Sequence, residues 1–319
     1  MPQLDALIAR LYRATADVPA SDFRTWALEA VRSEIPFDGA VWGTGHVSAL
    51  HFHTRTCLQV DEALFDDLLA LKHLNPIGHF FSADNLVPGQ QPPADLRARF
   101  GQAISMADLI DDAHFYDSDI YRLCFQPRGI ERILSSLHFH DRTGIYTLLS
   151  LYRFDRDYPF TDAEKALQQQ LLFHLLESER HAFDLRLKAS EPQPGEQFAL
   201  VDEAGHYHQA SVEFLDLLPD KSQLPFLPAS APAQFGSLRV RIEREGELWV
   251  VGLRPEQLWD QLTEREMQVV NGVASGKTFK TIGKEIQLSP STVANHLYRV
   301  YRKLGLSSRN QLLALMQTT

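Results

Sequence analysis

The run SPSTVANHLYRVYRKL, residues 289–304, decides how the rest of the chain is read. Its opening serine-proline pair is a strong helix start. The hydroxyl can accept from a free backbone N–H, and proline at the first helical position gives up no donor the helix would have used. Nothing between Pro290 and Leu304 breaks a helix. At about 100° per residue, Val293, Leu297, Val300 and Leu304 fall on one stripe, which must pack inward. Ser291, Asn295, Tyr298 and Arg302 fall opposite, with Ala294 and Arg299 at the edges. An amide, a phenol and two guanidiniums on one outward face suit a helix lying in a major groove. Its first half would meet base edges and its arginines the phosphates.

The flanking residues agree. Thr263 and Glu266 form a capping box for a helix with Met267, Val270, Val273 and Ala274 inward, ended by Gly276. Thr278 can cap a short second helix with Ile282 and Ile286 inward and Lys280 and Lys284 outward. The turn Gln287-Leu288-Ser289 follows. After Gly305, Ser307 is the expected cap of a fourth helix with Leu312, Leu313 and Met316 on one side. Four short helices with a tight turn between the second and third predict a helix-turn-helix domain.

Residues 262–304, LTEREMQVVNGVASGKTFKTIGKEIQLSPSTVANHLYRVYRKL, resemble the DNA-binding domain of LuxR/FixJ/NarL-type transcription regulators. The matching positions are Leu262-Thr263-x-Arg265-Glu266, Ala274-x-Gly276-x-Thr278-x-Lys280-x-Ile282, Ser289-x-x-Thr292-Val293-x-x-His296 and Lys303-Leu304. The resemblance implies that Ala294, Asn295 and Tyr298 face bases, and that Lys280, Thr292, His296, Arg299 and Lys303 lie near phosphates. Arg302 joins them from the outward face. It also implies that the fourth helix pairs two protomers, through Leu312, Leu313 and Met316. Thr281 and Gly283 stand where the family usually has glutamate and alanine. A glycine inside the helix is expected to weaken it by roughly 0.5–1 kcal/mol. The stretch GVASGKT, residues 272–278, imitates a phosphate-binding loop but is one residue short between its glycines and follows a helix. Gly276 reads as a helix-terminating glycine.

Charge separates this end from the remainder. From Asp260 to Thr319 there are eight Lys/Arg against four Asp/Glu, a net of +4. Removed from the chain totals of 31 and 41, these leave 23 positive and 37 negative side chains, a net of −14. A basic tail on an acidic body fits a DNA-binding module joined to something that does not bind DNA. The two cysteines, Cys57 and Cys124, are too few for a disulfide framework and neither lies in C-x-x-C. No apolar run approaches the ~18 residues of a membrane span, and the N-terminus reads as an amphipathic helix. A soluble, cytoplasmic protein is expected, without membrane contact.

Residues 1–188 predict an α+β sensor. Ser21 is the expected cap of a second helix carrying Phe23, Trp26, Ala27, Ala30 and Val31. Strands are expected over 40–47 and 51–60, a helix from Asp61, a turn-rich loop around 87–93, a helical patch over 113–124 and a hairpin of 130–140 with 145–154. A long helix follows, capped by Thr161 or Asp162 and running to about Lys188. The segments Ile35-Pro-Phe-Asp-Gly-Ala40 and Tyr158-Pro-Phe-Thr-Asp-Ala163-Glu164 resemble the entry and exit of GAF-type ligand-binding domains. That resemblance implies a small molecule between the sheet and the segments crossing it. Its lining candidates are Trp42, His51, His53, Phe115, Tyr116, Tyr121, His138 and Tyr146, each of which also reads as ordinary core. His51/His53 and His138/His140 are H-x-H pairs, and four imidazoles could meet if their strands were neighbours. No acidic or cysteine ligand sits at a fitting spacing, so no metal and no cofactor is expected.

Residues 189–259 read as a linker, Glu191-Pro-Gln-Pro-Gly195, followed by strand, turn, strand, helix and hairpin. LVDEAGHYHQASVEFLDLL, residues 200–218, resembles a shortened PAS-type module, and a packing spacer is the other reading. The fold class is thus α+β and multidomain: a GAF-like sensor (1–188), a small PAS-like module (189–259) and an all-α helix-turn-helix domain (260–319). No nucleophile elbow, Ser/His/Asp grouping or dinucleotide fingerprint is present, so no enzyme is expected. The function expected is a ligand-responsive transcription regulator that binds promoter DNA as a homodimer and meets the transcription machinery. A protein-interaction module, or a metal- or haem-dependent sensor, are the alternatives for the first 250 residues.

Overall fold

Apolar runs bounded by turn residues build two sheets in the first part of the chain, and helical periodicity builds a bundle in the last. A computed structural model describes residues 2–46, 51–75, 99–140, 144–189, 193–221, 223–246 and 248–318. It divides into two units, Met1–Arg254 and Pro255–Thr319.

The first unit opens with helices α1 (Pro2–Asp17) and α2 (Phe23–Arg32) and strands β1 (Gly39–His46) and β2 (His51–Leu58). Helix α3 (Ala63–Ala70), strand β3 (Ala103–Ser105), helix α4 (Asp112–Asp117) and a π-helical turn (Tyr121–Phe125) lead to β4 (Arg132–His140) and β5 (Ile145–Arg153). The long helix α5 (Asp162–Ala189) follows. A second sheet comes from β6 (Gln197–Val201), β7 (Tyr207–Ala210), β8 (Gln234–Phe235), β9 (Leu238–Glu245) and β10 (Leu248–Pro255), with helix α6 (Val212–Asp216) after β7. The first sheet has the order β2-β1-β5-β4-β3 and the second β7-β6-β10-β9-β8. Counted within each sheet, the order is the same.

The first sheet is covered on both faces, so β1 and β5 are buried along nearly their whole length and not on alternate residues. On one face Trp42, Leu134, Leu149 and Leu151 pack under α1, α2 and α5 through Leu7, Leu11, Leu28, Leu171 and Leu175. On the other, Val41 and Tyr152 pack with Leu64, Phe65, Phe115, Cys124 and Phe125. Arg153, 1% exposed, ties the two segments that enter and leave this sheet. Its guanidinium donates to Pro36 O at 2.9 Å, Pro159 O at 2.8 Å and Glu164 Oε1 at 2.6 Å. Thr161 caps α5 as expected, accepting from Glu164 N while Glu164 accepts from Thr161 N.

Three expectations are corrected. Helix α2 starts after Asp22, and the Ser21 hydroxyl donates to that aspartate instead of capping the helix. Strands β3 and β8, of three and two residues, were not foreseen, being too short for a period to register. The two H-x-H strands, β2 and β4, are separated by β1 and β5. At about 4.8 Å per strand the pairs lie roughly 14 Å apart across the sheet, too far to share a metal. Among the described residues no group of three or more His, Cys, Asp or Glu could hold a metal ion. The turn-rich loop at 87–93 lies outside the described residues. No helix among them is long and apolar enough to cross a membrane.

Where the two sheets meet, a buried polar cluster replaces apolar packing. Arg24, on the inward stripe of α2, donates from Nε to Glu179 Oε1 of α5 at 2.6 Å and from Nη2 to Thr44 Oγ1 of β1 at 2.5 Å. His208 of β7 places Nε2 at 3.2 Å from the same Glu179 oxygen. Burial pushes the Glu179 carboxyl pKa up, but Arg24 and His208 outweigh this and hold it at about 2. Burial lowers the His208 pKa, and the Arg24 charge lowers it further, against the pull of Glu179. Burial also lowers that of His138, assisted by His140.

The second unit is a four-helix bundle of α7 (Glu264–Ala274), α8 (Phe279–Ile286), α9 (Pro290–Leu304) and α10 (Arg309–Thr318). Val269, Val270, Val273, Ile282, Val293, Leu297, Val300, Leu304 and Leu312 form its core. Gly272, the first glycine of the false phosphate loop, lies mid-helix, where an added Cβ would stand 2.7 Å from Ile282. Gly283 has a reason its sequence context hid. A Cβ there would lie 2.4 Å from Leu288 O, so the turn into α9 closes only over glycine.

Three outcomes follow from these contacts. Gly283→Ala should lower the stability of the C-terminal unit by about 1–3 kcal/mol despite alanine's better helix propensity, because a backbone carbonyl must move; denaturant melts of the two proteins decide it. Glu179→Gln should cost about 3 kcal/mol or more by leaving the Arg24 charge buried and unpaired. The pKa of His208 in the folded chain lies below its ordinary 6.5. Its contribution is therefore complete above pH 6.5 and declines as pH falls, since the unfolded chain takes up a proton that the buried ring refuses. A first unit whose unfolding free energy is flat from pH 7 to 5 would contradict this.

Candidate functional site

Helix α9 is set by its ends. Ser289 Oγ accepts from Thr292 N at 3.1 Å, Pro290 occupies the first helical position, and Gly305 closes the helix at φ +65°. The helix before it is equally defined. Thr278 Oγ1 accepts from Thr281 N at 3.2 Å, and Gln287 leaves α8 in the left-handed conformation at φ 57°. Two arginines donate to carbonyls at helix C-termini: Arg309 to Val273 O at 3.0 Å and Arg265 to Ile286 O at 3.3 Å. Thr263 and Glu266 form the expected reciprocal box on α7. The cap of α10 is Ser308, which accepts from Gln311 N, one residue later than expected. Ser307 instead donates to the Gln311 side chain.

With Val293, Leu297, Val300 and Leu304 buried, the opposite face of α9 is open. Tyr298 is 66% exposed. Asn295, Arg299 and Arg302 are exposed, as is Lys280 on α8, and Ala294 and Thr292 are half-buried. Thr292 shares a hydroxyl contact with Ser289 at 2.7 Å. His296 is half-buried, and its Nδ1 has no partner among the described residues. Lys303 is placed differently from its neighbours. Its ammonium donates to Glu266 Oε2 at 2.6 Å and Gln261 O at 3.0 Å, so it ties α9 to the start of α7. Burial pushes the Glu266 pKa up, yet the bonds from Lys303 and Thr263 hold it below the usual carboxylate range. On α10, Leu312 is fully buried in its own unit's core, while Leu313 and Met316 are partly exposed.

The residues expected to line a ligand pocket are not gathered in one place. Phe115, Tyr121 and Tyr146 lie on the face of the first sheet away from α5, each 2% exposed. Tyr116, half-buried beside them, donates to Glu131 O. Tyr146 packs edge-on to Phe52 at 5.3 Å. Trp42 belongs to the core under the helices, with the Arg24 guanidinium 5.0 Å from its ring. His138 is on that side too, bordering a cleft of about 370 Å³ between α5, the ends of β4 and β5, and β7. His53 stands against the second sheet, 6.1 Å from the His206 ring and 6.2 Å from that of His208. His51 is on β2, and its side chain is outside the described set. Arg24, Glu179 and His208 were not anticipated as a group. The readable signal was a guanidinium on the apolar stripe of α2, level with Leu28 and Val31.

Comparison with known proteins agrees with this geometry for the second unit. The family described as bacterial regulatory proteins, luxR family, matches residues 260–316. The spore germination protein GerE of Bacillus subtilis is 40% identical over 50 residues, which are 16% of this chain and 68% of GerE. An HTH-type transcriptional regulator of Mycobacterium bovis, Mb0914c, is 49% identical over 59 residues, 18% of this chain. The transcriptional regulatory protein NarL of Mycobacterium tuberculosis is 44% identical over 48 residues, 15% of this chain. The matched stretch spans only 7% of the M. bovis protein and 22% of NarL. Among solved structures, Escherichia coli SdiA is aligned over 97% of this chain and 94% of its own, at 12% identity and a TM-score of 0.36. A likeness that low fixes nothing about the first unit. The C-terminal match is of another order, and the chain belongs to the luxR family of bacterial regulatory proteins, as a DNA-binding transcription regulator with a helix-turn-helix.

Proposed function

We propose that this regulator reads promoter DNA as a homodimer under the control of a small molecule held by its N-terminal unit. Ala294, Asn295 and Tyr298 form the base-facing set, and Lys280, Thr292, His296, Arg299 and Arg302 the phosphate-facing set. The observation that carries this reading is the open face of α9. Asn295, Arg299 and Arg302 are exposed and have no ion-pair or hydrogen-bond partner among the described residues, while the apolar stripe is buried. Lys303 reaches phosphate only by leaving Glu266, so its first role is to hold α9 on α7. Leu313 and Met316 on α10 are the surfaces offered to a second protomer.

For the remainder, the division proposed is a GAF-like sensor over 1–188, a linker and PAS-like module over 189–259, and the helix-turn-helix domain over 260–319. The repeated strand order of the two sheets supports reading them as two modules of one build. A ligand acts by binding one arrangement of these modules more tightly than another. No catalytic step, cofactor or membrane contact enters this reading, and the cytoplasm and its transcription machinery are the setting.

Selection of binding sites from random duplexes tests the base-facing set. Asn295→Ala should change the preferred sequence, and an unchanged preference would remove the outward-face assignment. Arg299→Ala and Arg302→Ala should weaken binding to all sequences alike and reduce the slope of log affinity against log salt by about 1 each. Lys303→Ala should instead lower the melting temperature of the C-terminal unit, by stripping Glu266 of its cation. Native mass spectrometry of protein taken from cells tests the sensor, with a retained small molecule the expected result and a bare chain the adverse one.

A further inference from the structure

The cleft where the two sheets meet is floored by one face of the first sheet, and strand register says which side chains stand there. His138, Thr147 and Thr44 are directly paired across β4, β5 and β1, as are His140, Ile145 and His46 one row on. Paired residues share a face, and this is the face of Trp42 and Leu149, which packs under α5. The wall across from it is β7. Gln209 pairs with Leu200, which packs with Phe183 of α5, so Gln209 too is turned toward α5 and the cleft it borders. Helix α5 closes a third side with Leu176, Glu177 and Arg180, and the space enclosed is about 370 Å³. That is near the lower end of the roughly 300–1,000 Å³ usual for ligand pockets, so it suits a small occupant.

The charged side chains around this space already answer one another. Arg24 lies 2.6 Å from Glu179, and Arg180 lies 2.6 Å from Glu177. Glu213, at the rim, is exposed, where water screens its charge. The neutral polar groups are in the contrary position. His138 is half-buried, and its ring has no hydrogen-bond partner among the described residues. Burial, with His140 beside it, lowers its pKa against the pull of Glu177, so at neutral pH the ring presents one N–H and one lone pair. The Gln209 carboxamide, likewise without a partner among the described residues, offers a donor and an acceptor as well. Thr147 Oγ1 has a long contact, 3.5 Å, with Thr44 Oγ1. Ser211 Oγ accepts from Phe214 N at 3.0 Å and keeps its hydroxyl proton for another acceptor. Between these groups lie the aliphatic side chains of Ile145, Leu176 and Val212, and no phenyl, phenol or indole ring borders the cleft among the described residues.

We propose that this cleft binds a small neutral polyol, a monosaccharide or sugar alcohol. A hydroxyl donates and accepts with the same atom, which matches an imidazole, a carboxamide and hydroxyls that face one another from two sheets. The C–H surfaces of the occupant lie on Ile145, Leu176 and Val212. A molecule with one polar head and a long apolar tail is unsuited, because the tail would cover polar groups on one wall or the other. A charged one finds its counterions engaged or exposed to water. The proposal rests on the reading of the N-terminal unit as a small-molecule sensor and locates the site away from the aromatic face of the first sheet. An occupant here touches both sheets and α5 at once.

Isothermal titration of the full chain with D-glucose, xylitol and glycerol tests the idea, with putrescine and succinate as cationic and anionic counterparts. Calorimetry reads binding itself, whereas polyols raise melting temperatures of proteins generally by exclusion from their surfaces. At least one polyol should bind, and neither ion should. His138→Phe keeps a ring and removes both nitrogens, and Gln209→Leu removes the amide. Each should weaken that polyol about tenfold or more. His138→Gln, which restores a donor and an acceptor, should recover most of the loss, as a mere packing role for His138 would not. Silence from all three polyols, equal binding of either ion, or unchanged affinity in both His138→Phe and Gln209→Leu overturns the proposal. If the polyols are silent while protein from cells still carries a small molecule, the sensor reading survives and this assignment of the cleft does not. If nothing is retained either, both fall.

Discussion

A charge that cannot reach water constrains the first unit more than any apolar contact does. Arg24 lies on the buried stripe of α2, and its guanidinium must be satisfied from within. Glu179 from α5, Thr44 from β1 and, at 3.3 Å, the Trp42 carbonyl of β1 supply the partners, and His208 of β7 joins through Glu179. Helix, first sheet, long helix and second sheet thus share one set of donors and acceptors. Moving any one of them leaves a buried ion short of a partner. The cluster therefore fixes how the two sheets are registered, which unspecific apolar packing between them would do less sharply.

Arg153 repeats the device at the other end of the first sheet. Its guanidinium joins the segment leading into β1 to the segment leading into α5, with the Tyr158 and Phe160 rings each 4.1 Å from it. Arg153 holds irregular chain to regular structure by reaching the carbonyls of Pro36, Tyr158 and Pro159, which a lysine with its single nitrogen would do less completely.

Much of the second unit was legible because every decisive contact there is local. A cap lies three residues from its partner, and an apolar stripe repeats every three or four, so Thr263, Thr278, Ser289, Gly276 and Gly305 could be named before any coordinates. What lay hidden were contacts across the bundle: Lys303 turned to Glu266 instead of outward, Leu312 committed to the interior, and Gly283 demanded by the carbonyl of Leu288. In the first unit the hairpin of β4 and β5 and the long helix were readable from period and turn chemistry. Strand order was not, and it separates the two H-x-H pairs. The aromatic candidates were correctly placed on strands and helices. Parity along a strand says that Tyr146 and Thr147 face opposite ways, but not which face packs under helices.

The closure of the turn over Gly283 has a bearing on control. With Leu288 N donating to Gly283 O at 2.8 Å, and Leu288 O only 2.4 Å from where a Cβ on Gly283 would stand, α8 and α9 are closely joined. The pair must travel as one rigid piece. In the regulator proposed above, a signal would then act on whether that pair is delivered to DNA, not on how α9 is aimed within its bundle. Choice of sequence and timing of use would in such a regulator be separable, open to change by different mutations.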